Sequence, residues 1–166
     1  MFGLLEKLGF QYSKPEPRSY QNRFRNISAI LILYPFEETY FRIARYTLQR
    51  LFQSQEKYRY FLLTSPQFTD RDLFIETTRR EIKIRPGQKD RDLLQDELLK
   101  FHPDLLLQLE PSPGRELSRF LDSTKINLKM GFGKDPSGID LFLSRKEHSF
   151  YERDLLNLIQ LLLRES

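Results

Sequence analysis

Seven consecutive residues, Ile27–Leu33 (ISAILIL), carry no charge, and the chain leaves them through Tyr34-Pro35-Phe36-Glu37-Glu38. A strand that is apolar at odd and even positions alike has no side to give to water, so it must be covered on both faces, as in a parallel sheet. Beyond the turn, Tyr40, Ile43, Ala44, Thr47, Leu48 and Leu51 follow the spacing of one helical face. A doubly covered strand running into an amphipathic helix is the first half of a β-α-β unit, and few folds accept it.

The same alternation recurs. Tyr58–Thr64 (YRYFLLT), Glu81–Pro86 (EIKIRP), Asp104–Leu109 (DLLLQL), Ile126–Phe132 (INLKMGF) and Ile139–Ser144 (IDLFLS) read as further strands. Between them, Thr69 and Asp72 have capping-box spacing, and Asp90 can cap a helix carrying Leu93, Leu94, Leu98 and Leu99. Ser112 and Pro113 fit an N-cap and a first helical residue, and Ser149 with Glu152 forms a capping box for a last helix reaching Leu163. Phe2, Leu4, Leu5 and Leu8 give Met1–Phe10 one apolar helical face. This order predicts right-handed crossovers in a three-layer α/β fold, a Rossmann-like domain with a mostly parallel sheet. Residues 27–166 form that single domain, and residues 1–26 form an N-terminal amphipathic helix with a basic linker.

Composition narrows the chemistry. A chain of 166 residues can bury a full core. With no cysteine there is neither a disulfide nor a thiolate zinc site, and two histidines, His102 and His148, leave little for a metal. No cofactor is expected. No apolar run approaches the roughly 20 residues of a membrane span, and Lys7 interrupts the first apolar stretch, so a signal peptide is not expected either. The expectation is a cytoplasmic protein, at most peripheral to a membrane through its first ten residues. The formal charge is +4, skewed only where Lys14, Arg18, Arg23 and Arg25 face Glu16. Such a run usually marks a solvated linker, and nucleic acid is not the expected partner.

In an open α/β sheet, ligands bind outside the carboxyl ends of the strands. Three loops are candidates: Tyr34–Glu38, Glu110–Arg115 and Gly131–Gly138. The first has no glycine, and Glu37 and Glu38 would repel a pyrophosphate. These acids suit a helix N-terminus, and one of them is also a candidate general base. In the second, amides near Ser112 and Gly114, assisted by Arg115, are candidate anion ligands, with Glu110 and Glu116 opposing; Glu37 and Glu110 are themselves also candidate ligand-binding residues of the crevice. The glycines of the third read as turn residues. Asp154–Leu163 (DLLNLIQLLL) is apolar on more than one face. It either covers the sheet or meets another chain, with Leu155, Leu158, Ile159 and Leu162 as candidate interface residues for a partner or a homodimer.

Three segments together resemble the N-terminal half of the heptosyltransferase-type glycosyltransferases, the lipopolysaccharide glycosyltransferases of family nine. AILILYPFEETYFRIARYTLQRL is similar to the first strand, acidic turn and helix of that family. HPDLLLQLEPSPGRELSRFLDSTKINLKMGFGK and EHSFYERDLLNLIQLL are similar to its later strand-helix-strand segment and to the helix before its second domain. The resemblance implies one half of a two-domain GT-B fold. In activity it implies sugar transfer from a nucleotide sugar to a cell-envelope acceptor, with Glu38 nearest the position of the catalytic base. Pro35-Phe36-Glu37 stand where the family has a glycine before that acid. The family's second domain, which holds most of the donor nucleotide, would begin where this sequence ends. Two expectations follow: a non-catalytic domain that binds a protein or ligand, or a split transferase whose donor domain comes from another chain.

Overall fold

The computed structural model describes residues 10–12, 22–52, 55, 57–68, 79–84, 91–132, 139–143 and 151–165. Its elements are β1 (Phe10–Tyr12), β2 (Ala29–Leu33), α1 (Glu38–Phe52), β3 (Arg59–Thr64), β4 (Arg79–Lys83), α2 (Arg91–Phe101), β5 (Leu105–Gln108), α3 (Arg115–Ser123), β6 (Leu128–Phe132), β7 (Leu141–Leu143) and α4 (Tyr151–Glu165). The seven strands lie in the order β1-β7-β6-β5-β2-β3-β4. Strands β2 to β7 pair in parallel, and β1 alone runs antiparallel, against β7. Counted among themselves, the six parallel strands stand in the order 3-2-1-4-5-6 of the doubly wound Rossmann-like fold, with its reversal between β2 and β5.

Alternation along each strand splits the core in two. Ile30 and Ile32 face α1 and α4, meeting Phe41, Ala44, Leu48, Leu155, Leu158 and Ile159. Ala29, Leu31 and Leu33 face the other way, toward Leu94, Leu98 and Phe101 of α2 and Leu121 of α3. Every residue of β2 is fully buried, as its unbroken apolar sequence requires. Phe10 and Phe24, on the near side of the expected boundary at residue 26, belong to the same core as Ile30.

Several local expectations change. Phe10 opens a strand instead of closing a helix; Met1–Gly9, the Thr69–Asp72 capping box, Asp90, His148 and Ser149 lie outside the described residues. On α1 the deepest rings are Phe41 and Phe52, while Tyr40, Ile43 and Leu51 pack on the rim of the core. On α2, Leu93 and Leu99 are about three-fifths exposed, at 60% and 59%. Leu94, Leu98 and Phe101, at i, i+4 and i+7, take the buried stripe. Gly131 is no turn residue: it lies inside β6, where a Cβ atom would stand 2.2 Å from the backbone oxygen of Gln108 in β5.

A buried lysine closes one end of α3. Lys129 of β6 donates through Nζ to the carbonyls of Leu121 at 2.7 Å and Asp122 at 3.1 Å, satisfying groups that the helix end leaves open. Its backbone N–H donates to Asp140 Oδ2, and Asp140 pairs with Arg23 at 3.5 Å. Arg23, from the basic run, is therefore committed to anchoring the chain before β2. Burial holds the Lys129 ammonium below its ordinary pKa of 10.5, against the opposing pull of the Asp122 and Asp140 carboxylates. Between the lowered folded value and 10.5 the unfolded chain binds more protons, so this group makes stability rise with pH across that window. Tyr60 acts in the opposite sense above pH ~10, because burial raises its phenol pKa and only the unfolded chain ionises there. Urea melts of the wild type and of Lys129→Met isolate the lysine. The wild-type-minus-variant stability should climb toward pH 10.5, and a flat difference would show that burial does not perturb this ammonium.

Candidate functional site

The carboxyl ends of β2 and β5, where the strand order reverses, bring together two of the three candidate loops. Glu110, one residue past Leu109, is buried at 7% exposure and ties them to each other. Its Oε2 accepts from the backbone N–H of Phe36 at 2.6 Å, and its Oε1 accepts from that of Ser112 at 2.8 Å. The backbone of Phe36 is held a second time, since its carbonyl accepts from Gln67 Nε2 at 2.5 Å. A phosphate bound at a Rossmann crevice is held largely by backbone N–H groups of the turn after the first strand. Here a carboxylate of the protein itself sits on such a group.

Aromatic rings fill the α1/α4 side of this edge. Tyr34, fully buried directly after β2, lies 5.5 Å from Phe41, which stacks on Phe68 at 3.7 Å and 8°. Tyr151, the first residue of α4, packs 4.7 Å from Tyr40 and 5.0 Å from Phe132. Its hydroxyl donates to the Leu109 carbonyl at 3.0 Å, pinning the start of α4 to the end of β5. No single-residue motif announced this cluster. The available signal was an aromatic residue near the end of several elements, with Phe132 closing β6, Tyr40 and Phe41 in the first turn of α1, and Tyr151 opening α4.

The acids of the first turn are placed differently from Glu110. Glu37 is exposed, and its carbonyl accepts from the Phe41 N–H at 2.9 Å, which starts α1. Glu38 is also exposed and pairs with Arg42 one turn along the helix. Together with Phe41, Arg42, Arg45 and Phe68 it lines a small cleft of about 250 Å³.

In the second loop Ser112 is not the N-cap of α3. Gly114 takes that position at φ 86°, and the helix begins at Arg115, while the Ser112 N–H is engaged by Glu110. Gly114 and Arg115 are exposed. Of the third loop only Gly131 and Phe132 are described, both within β6. The candidate interface residues Leu155, Leu158, Ile159 and Leu162 are each 0% exposed inside the chain's own core. They cover the sheet and leave Glu152, Arg153, Gln160 and Arg164 as the outward residues of α4.

Among the described residues no group of three His, Asp or Glu side chains gathers as a metal site. None of their helices is long and apolar enough to cross a membrane.

No protein-family model matches this sequence, and no curated protein matches it. Among solved structures, the chain is similar to trehalose-6-phosphate synthase OtsA, at 11% sequence identity and a TM-score of 0.43. That alignment takes in 96% of this chain and 46% of the synthase, so the chain spans about half of that protein's length.

Proposed function

We propose that this domain acts by binding a protein or small ligand and performs no sugar transfer of its own, as a relative of the N-terminal half of the heptosyltransferase-type glycosyltransferases. The observation that carries this reading is the Glu110 carboxylate on the amides of Phe36 and Ser112. An incoming phosphate would have to displace a buried, doubly bonded anion and would meet Glu37 and Glu38 outside it. The aromatic packing behind the crevice supports the same reading. The transferase alternative rests on Glu38, which is free to reach a hydroxyl only by giving up Arg42; the cleft it lines is the observation in favour.

A thermal-shift screen of nucleotides and nucleotide sugars, with light scattering for mass, tests the proposal. A ligand at 100 times its dissociation constant would stabilise the fold by about 2.7 kcal/mol. No shift is expected with any of them. A specific shift with one nucleotide sugar would instead favour the split transferase and make Glu38→Gln the next variant to assay. In the absence of ligand, Glu38→Gln should leave stability within about 0.5 kcal/mol, since exposed ion pairs contribute little. Glu110→Gln should cost about 2 kcal/mol, because one charge-assisted acceptor becomes a donor facing a partly buried N–H.

A further inference from the structure

A second concavity lies at the opposite edge of the sheet, where α2 and α3 end and the chain enters β5 and β6. It encloses about 460 Å³ and is lined by Gln95, Leu98, Leu99, His102, Pro103, Phe120, Ser123, Thr124 and Lys125. That volume is within the range of small-ligand pockets. Leu98 and Pro103 are buried on its floor, Phe120 is half-buried, and Leu99 stands at the mouth with 59% of its surface exposed. The rim carries Lys125 and His102, both exposed, and among the described residues no carboxylate lines the cavity.

Two helix C-termini converge here, and their carbonyls would ordinarily favour a cation. At α3 that demand is met by the protein. The Phe120 carbonyl accepts from Ser123 Oγ at 2.7 Å and Thr124 Oγ1 at 2.9 Å, while those of Leu121 and Asp122 accept from Lys129 Nζ. At α2 the Leu98 carbonyl accepts from the His102 N–H at 2.9 Å. The Lys125 ammonium is therefore not what closes these helix ends.

His102 supplies the second observation. It holds φ 52°, the left-handed conformation that closes a helix, at a position where glycine would be the unstrained choice. Among the described residues no other non-glycine has a positive φ. That turn of the backbone leaves the imidazole on the rim, among the residues that line the cavity.

We infer that this cavity binds a small amphiphilic anion, its hydrocarbon or aromatic body on Leu98, Leu99, Pro103 and Phe120 and its acid group against Lys125 and His102. The probes are octanoate, with octylammonium and octanol as its cationic and neutral counterparts, followed by calorimetry and by amide chemical-shift mapping. Octanoate should saturate, bind about tenfold more tightly than octylammonium, and shift the amides of Leu99, His102, Phe120 and Lys125. Lys125→Glu, a change at an exposed residue, should weaken octanoate about tenfold and leave Tm within a degree or two.

His102→Gly separates the site from the fold. It relieves the left-handed strain, so Tm should rise while octanoate binding falls severalfold. Absence of saturation, shifts confined to other parts of the chain, or equal affinity for octylammonium would each overturn the inference. So would octanoate binding unchanged in both variants. Nucleotide binding at the switch-point crevice is read independently, since that crevice lies at the other end of the strands.

Discussion

Gly131→Ala should cost about 3 kcal/mol or more and leave little folded protein at 37 °C. The added Cβ would lie 2.2 Å from the Gln108 carbonyl oxygen and 2.7 Å from the Gln108 Cβ, far inside any real contact. Gln108 cannot step aside, because it is backbone in β5 and its Nε2 donates to the Phe132 carbonyl at 3.0 Å in a buried hydrogen bond. Relief requires β5 and β6 to part in the middle of the sheet, with loss of that bond and of ladder bonds beside it. Gly114→Ala is the natural comparison. There a Cβ meets nothing within 4 Å, and only φ 86° opposes it, so about 1 kcal/mol is expected. Urea denaturation of the two variants should separate them clearly, and equal small losses would mean that the strands approach less closely than described.

Leu158→Ala should destabilise the domain by about 3 kcal/mol, as deletion of a fully buried leucine does elsewhere. Leu158 is 0% exposed and lies in the core with Leu155, Ile159, Leu162 and the strand residues Ile30 and Ile32. The diagnostic readout is the pairing of Tm with molecular mass. A core leucine lowers Tm at every protein concentration without altering mass. An interface leucine would change the mass at nearly constant monomer stability, and that result would restore α4 as a docking helix.

The architecture was legible in the sequence because its strands are long apolar runs with helical periodicity between them. Ala29–Leu33, Arg59–Thr64, Leu105–Gln108 and Leu128–Phe132 all fall within the segments expected. The short pieces were not legible. Phe10–Tyr12 has three residues and no alternation, and becomes a strand only because β7 offers an edge. Leucine spacing on α2 allowed either of two stripes, and packing against Phe61 and Leu106 chose the one with Phe101. The candidate site was legible in location and not in meaning. Sequence brought Glu37, Glu38, Glu110 and Ser112 to one edge, but nothing local distinguished an acid that faces water from one that bonds two amides 74 and 2 residues away. His102 entered the sequence reading as a scarce metal ligand, and nothing local showed that its backbone N–H closes α2 on the Leu98 carbonyl.

The order of the strands has a consequence for how the chain is made. β2 is bordered by β3 on one side and by β5 on the other, and its start is clasped by Asp104, which accepts from the Ser28 backbone 76 residues earlier. As the polypeptide emerges, Ala29–Leu33 can pair with β3 early, yet its second edge stays open until Leu105–Gln108 has been synthesised. For that interval the nascent protein displays a wholly apolar strand with one open edge, the type of surface that recruits other chains. Its hazard is therefore kinetic and lies in birth and refolding, at the strand that is best protected once the fold is complete.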